Sequence, residues 1–324
     1  MDLPACPRQT GALVAAFAVL VQFASVAGAG VGRTPGFASV SEDGEAQYSI
    51  PIALPAGTNG MTPVLSLDYR HRTRGGLLGV GWSIGGLSQI ARCARTVAQD
   101  GIAAAPRRNA GDRFCLDGQR LVIASSSVYG SANGEYRTEI ESYSRVRAID
   151  GASTNGPASF TVETADGRTW EYGATNDSRI DGTAGPSTYS ARSWLLNRIR
   201  DRAGNAIDYR YAEETGSLAY RIASIRYNGN PANGVAPSHE VRFVYEKRPD
   251  SDVDAGYVAG MPVREVLRLA AIEVRYNGAL LRRFELAYEP ALSPGGRSRL
   301  ASLRECDAGG ADCLAATRFD WTGG

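Results

Sequence analysis

The sequence predicts an all-β protein made of curled antiparallel sheets of successive hairpins, and three observations carry that expectation. First, twelve Asn-Gly or Asp-Gly steps, six of each, punctuate the 324 residues. Both residue types tolerate positive φ, which is what tight two-residue hairpin turns require. Second, apolar and charged residues alternate on the flanks of several steps, as a sheet with one wet face demands. Third, no segment beyond the N-terminal apolar run shows a sustained helical period with caps, which argues against a βαβ sheet. Composition agrees with a globular chain: 43% hydrophobic and 21% charged. Gly 38 and Pro 15 together stay below the low-complexity range. The 35 basic against 34 acidic residues argue against a nucleic-acid binder or a polybasic membrane binder.

In chain order, the first element is an address label. Arg8 precedes the apolar run of residues 11–29, and Ala27-Gly28-Ala29 supplies a small-x-small end. That pattern predicts a secretory signal peptide over residues 1–29, cleaved after Ala29. A membrane-spanning helix is the competing reading, weakened by Gln22 and Ser25. Strands are expected at Tyr48–Leu54, Val64–Tyr69, Leu121–Ala124, Ser193–Arg200, Ile207–Tyr211, Ile222–Tyr227 and Val241–Glu246. Phe160–Thr164 and Arg168–Tyr172 flank Asp166-Gly167 as one hairpin; Ile272–Tyr276 and Leu281–Tyr288 flank Asn277-Gly278 as the clearest. Val263–Ala271 is the one place where a short helix is expected. A weak internal echo links Ile225-Arg226-Tyr227-Asn228-Gly229 with Val274-Arg275-Tyr276-Asn277-Gly278.

Removing Cys6 with the signal peptide leaves four cysteines, Cys93, Cys115, Cys306 and Cys313. An even number in an exported chain predicts disulfides. Of the three connectivities, the local one, Cys93–Cys115 with Cys306–Cys313, needs the least long-range closure. A four-thiolate zinc site is the alternative, but no Cys-x-x-Cys spacing supports it.

Candidate chemistry is sparse. The only lysine is Lys247, so arginine supplies nearly all the positive charge; carboxylate forks are one explanation and an arginine-favouring codon bias the simpler one. Leu78-Gly79-Val80-Gly81-Trp82-Ser83-Ile84-Gly85-Gly86 lacks the Lys-Ser/Thr of a phosphate loop, and its third glycine is one residue late for a dinucleotide fingerprint. It reads as a tight β-turn with Trp82 packed on glycine backbone. Asp250, Asp252 and Asp254 alternate like a calcium loop, but Ala255 stands where the turn glycine belongs and Met261 where the last Glu belongs. A solvated acidic loop is expected there. His71 and His239 have no Gly-x-Ser-x-Gly elbow to serve, and His71 reads as a strand-end residue. Trp170, Tyr172, Trp194, Tyr209 and Tyr211 suit either stacking on sugars or bases or cross-strand core and rim pairs, with the cross-strand pairs the simpler reading. No catalytic, cofactor-binding or metal-ligating residue is assigned, and the chain is expected not to be an enzyme.

The blocks Phe37–Ile52 and Pro55–Tyr69 resemble the opening of the SpvB-type N-terminal domain. That domain is shared by the B components of Tc insecticidal toxin complexes and by secreted Rhs/YD-repeat proteins. Leu78–Trp82, Gly85–Ser88, Asp112–Leu121, the Asp-x-x-Gly-Asn of Asp201–Asn205 and Tyr245–Asp250 extend the resemblance from about residue 36 to about 321. It implies a β-rich domain over 30–324 that helps build a shell around toxic cargo, with no cofactor and no active site of its own. It also implies protein partners, an Rhs/YD-repeat protein or other toxin-complex subunits. Longer relatives continue into a propeller, repeats and a toxic domain, so the chain is expected to be truncated before them or to assemble with a partner. Open strand edges are then expected at Leu281–Tyr288 and at Arg318–Trp321, with self-association as the consequence. A stand-alone extracellular binding module, adhesin or glycan-binding, is the alternative; a carboxylate-based glycosidase is a third reading.

Overall fold

The computed structural model describes residues 30–73, 75–131, 133–149, 156–181, 191–214, 217–258, 260–289 and 296–321. The signal-peptide expectation lies outside the described residues.

Strand follows strand, and pairing between sequence neighbours builds most of the fold. Gln89–Cys93, Arg113–Leu116, Gln119–Ile123, Glu135–Thr138, Arg145–Ile149, Ser159–Glu163 and Thr169–Tyr172 form an antiparallel succession. Ser193–Arg200 then pairs with both ends of it, through Thr169–Tyr172 and through Gln89–Cys93. Eight strands therefore close into a ring. Its interior is packed: Phe114, Tyr136, Phe160 and Trp194 are buried and meet edge to face at 4.9–6.5 Å. Trp170 is half-buried, and Tyr172, Trp194, Tyr209 and Tyr211 are core residues. These five are thus not a glycan-stacking surface.

The same strand, Ser193–Arg200, starts an antiparallel sheet that runs through Ala206–Glu213, Tyr220–Gly229, His239–Lys247, Leu267–Tyr276, Ala279–Tyr288 and Leu300–Asp307. One face carries Tyr209, Ile225, Val241, Ile272 and Phe284 into the core. On its polar side, arginines fork onto acids of neighbouring strands, including Arg198–Asp208 at 2.6 Å, Arg226–Glu240 at 2.9 Å and Arg304–Glu285 at 2.7 Å. Such exposed pairs contribute little each, ~0.2–1 kcal/mol, but they disfavour register slips by placing like charges opposite. The arginine excess is therefore put to structural use.

The hairpin chemistry works where both turn residues take positive φ. Asn277 and Gly278, at 45° and 82°, join Leu267–Tyr276 to Ala279–Tyr288. Asp117 and Gly118, at 49° and 86°, do the same for Arg113–Leu116 and Gln119–Ile123. Asp100-Gly101 instead ends a single helical turn, Val97–Asp100. The expected helix over Val263–Ala271 is absent: Met261–Glu265 and Leu267–Tyr276 are strands. Leu269 and Ala271 alternate on one face and pair with Tyr245 and Val244, so long-range pairing overrides local propensity. The two echoed motifs occupy equivalent places. Tyr227 and Tyr276 flank His239 in register on either side, and both rings lie about 5 Å from the imidazole.

A four-stranded sheet, Phe37–Val40, Ala46–Pro51, Ser66–Arg70 and Trp82–Gly85, contributes Ile50, Leu67 and Trp82 to the same apolar cluster as the main sheet. Gly86, at φ 85°, passes so close to the Val64 carbonyl that a side chain has no room.

The expected open edges are largely covered. Ala279–Tyr288 is paired on both sides. The outer edge of Leu300–Asp307 is capped by the chain itself: Cys306 and Cys313 form a disulfide, and Thr317 and Arg318 pair with Leu303 and Ser302. Gly30–Arg33 then pairs in parallel with Leu314–Ala315, and Thr34 Oγ1 donates to Glu305. The second disulfide, Cys93–Cys115, ties adjacent strands of the ring. Replacing Cys306 and Cys313 together by Ser removes about 2–3 kcal/mol of loop constraint and loosens this cap. The expected result is concentration-dependent self-association in sedimentation velocity that the unmodified chain does not show.

Candidate functional site: an aromatic cleft under the C-terminal segment

Where the capping segment crosses the four-stranded sheet, five rings meet. Trp82 is buried with 2% exposure and lies 4.8 Å from Phe319, 5.5 Å from Tyr69 and 6.4 Å from Tyr48. Trp321 closes the group, 5.7 Å from Tyr69. One backbone and one side-chain bond hold the segment in place: the Phe319 N–H donates to the Ala301 carbonyl at 2.9 Å, and the Trp321 indole Nε1–H donates to the Leu300 carbonyl at 2.8 Å. Arg299 stacks over the Trp321 ring at 5.6 Å. Between the rings lies a cleft of about 450 Å³ with Arg33, Arg318 and Asp320 on its wall. Two polar atoms of its lining find no partner among the described residues, Trp82 Nε1 and Thr317 Oγ1.

From the sequence, Trp82 is expected in a tight turn, and Phe319 and Trp321 on an uncovered edge. The structure puts them in contact. Spacing carries no signal for a meeting between residues more than two hundred positions apart; the one local hint was an aromatic pair, Phe319 and Trp321, separated by a charged residue.

The three alternating aspartates do different work. Asp250 is exposed and meets Lys247 at 3.2 Å; Asp254 meets Arg297 at 3.3 Å. Asp252 is buried, not solvated, and forms an ion pair with buried Arg248 at 2.9 Å. Its carboxylate also accepts the Ser298 N–H at 2.7 Å and the Ser298 hydroxyl. Those lone pairs are therefore committed within the chain. Among the described residues no group of three or more His, Cys, Asp and Glu is arranged to hold a metal ion. His71 is exposed just past Ser66–Arg70, and His239 is stacked between tyrosines, its pKa lowered by burial.

Two acids stand apart electrostatically, Glu213 and Glu265, each pushed up to about 7 mainly by burial. Glu265 lies directly opposite Asp254 in the hairpin Asp254–Val258/Met261–Glu265. Burial pushes its pKa up to about 7, reinforced by Asp254 and Glu214 and opposed by Arg248 and Arg221. A raised acid favours the protonated folded state, so its stabilisation is full below the unfolded value near ~4.3 and is lost as pH rises through 7. Glu265→Gln removes that loss, worth roughly 1–3 kcal/mol. Melting curves should show the variant about 2–6 °C more stable at pH 8, with the gap closing toward pH 4.5.

Among solved structures, the described architecture is similar to segments of large toxin complexes. TcdB2-TccC3 aligns at TM-score 0.69 and 20% identity over 89% of this chain. A mutant Tc holotoxin pore of Photorhabdus luminescens aligns at 0.69 and 19% over the same share. The chain spans 16% of the length of each of these. The N-terminal domain of the effector SpvB from Salmonella typhimurium strain LT2 aligns at 0.64 and 20%, covering 80% of this chain and 98% of that one. The fold is thus the all-β architecture of an SpvB-type Tc toxin domain. No curated protein matches. The family profile "Salmonella virulence plasmid 65kDa B protein", SpvB, matches residues 40–233. With more than half of its length matched, the chain belongs to the SpvB family. No helix among the described residues is long and apolar enough to cross a membrane.

Proposed function

We propose that this chain is an exported, non-enzymatic structural module of a toxin or Rhs-type assembly. Residues 1–29 act as its signal peptide, and residues 30–324 contribute a segment of a β-shell that encloses cargo. The observation that carries this reading is the alignment of 89% of the chain, at TM-score 0.69, with one segment of a much longer toxin-complex subunit. A strand ring with a packed interior and a sheet braced by cross-strand ion pairs suits a wall better than a reaction chamber. Its partners are an Rhs/YD-repeat protein or other toxin-complex subunits, joined through protein surfaces without nucleic acid, cofactor or metal. The test is co-expression with an Rhs-repeat protein of the same source. The expected result is a stoichiometric complex on gel filtration that shows a hollow particle by electron microscopy. A chain that elutes alone, as a monodisperse monomer indifferent to the repeat protein, overturns the assignment.

A further inference from the structure

We propose that the aromatic cleft beneath Thr317–Trp321 is a binding site for an acidic saccharide. A cleft of about 450 Å³ falls in the size range of small-ligand sites, which pair apolar walls with a few placed polar groups. Tyr69, Phe319 and Trp321 are half-buried and offer ring surface for the C–H face of a pyranose. The polar groups match the rest of such a sugar. Arg33 and Arg318 line the cleft, and neither forms an ion pair among the described residues, although most arginines of the sheet do. A guanidinium receives a carboxylate through two parallel charge-assisted bonds. Asp320, also without an ion pair, accepts hydroxyl hydrogens that a bare anion lacks. The buried Trp82 indole N–H and the Thr317 hydroxyl have no partner within the described chain. Both atoms are sealed from solvent, so recognition in the cleft rests on Arg33, Arg318, Asp320 and the exposed ring surface. Two cations to one anion favour an acidic sugar over a neutral one, and the acceptor Asp320 disfavours a phosphate-only ligand. This site is independent of the shell reading: loss of binding leaves the assembly test above untouched.

The probe is a hyaluronan tetrasaccharide, with cellotetraose as its neutral counterpart, titrated into the purified chain by saturation-transfer NMR and tryptophan fluorescence. Saturable binding of the uronate sugar is expected, at least about tenfold weaker for cellotetraose and for Arg318→Ala, and weakened by salt. Arg318 and Asp320 are exposed, so Arg318→Ala and Asp320→Asn leave the fold intact by circular dichroism. Absence of saturable binding overturns the proposal. So does equal binding of both sugars, or uronate binding untouched by Arg318→Ala. Capture of a peptide by the cleft in place of either sugar also rejects it.

Discussion

Asp252→Ala should destabilise the chain by about 3–5 kcal/mol, because it strands a buried guanidinium. Arg248 and Asp252 are 3% and 2% exposed and meet at 2.9 Å. Around that pair three loops converge. Arg248 donates to the carbonyls of Leu267 and Gly76, and Asp252 accepts from the backbone and hydroxyl of Ser298. The Ser298 carbonyl in turn accepts the Val80 N–H at 3.0 Å. Removing the carboxylate leaves Arg248 with its charge uncompensated and frees both Ser298 donors. Urea denaturation measures the loss. The double variant Arg248→Met/Asp252→Leu is the control: replacing the whole pair by apolar side chains should recover much of the stability. A cost for Asp252→Ala below about 1 kcal/mol, the range of an exposed pair, would mean that the loops are held by something else.

That aspartate also shows why part of the fold was legible in the sequence and part was not. Local chemistry was readable. Asn277-Gly278 makes the expected turn because both residues accept positive φ, and alternation along Leu281–Tyr288 marks its wet and dry faces. Long-range pairing was not. Ser193–Arg200 reads as a strand, yet nothing in it announces that it serves both the ring and the open sheet. Val263–Ala271 looks helical until Leu269 is set opposite Tyr245. Asp252 looks solvated among its neighbours, since burial depends on Arg248 and on Ser298, forty-six positions away. The cleft has the same origin. Its walls come from both ends of the described chain, so only the folded arrangement brings Arg33, Trp82 and Phe319 together.

Trp82→Ala should cost a comparable amount, about 3–5 kcal/mol for a large buried ring, and its second consequence is the more informative. Trp82 sits between the four-stranded sheet and the capping segment, touching Tyr48 and Tyr69 on one side and Phe319 on the other. Removing it takes away the floor on which Phe319 rests. The segment is then held by the Thr317 and Arg318 strand pairs, the Phe319 backbone bond, the Trp321 indole bond and the Cys306–Cys313 disulfide. The expected result is faster tryptic cleavage after Arg318, before any global unfolding. Release of the segment bares the edge of Leu300–Asp307, and a bare edge templates pairing with another chain. Sedimentation of the variant should therefore show oligomers that grow with concentration. Phe319→Ala separates the two effects. It leaves Trp82 in the core, so it should cost less stability than Trp82→Ala while still accelerating the cut at Arg318. If both variants lose stability but neither speeds that cleavage, the edge is covered by the disulfide-closed hairpin alone, and the aromatic contacts serve the core and not the cap.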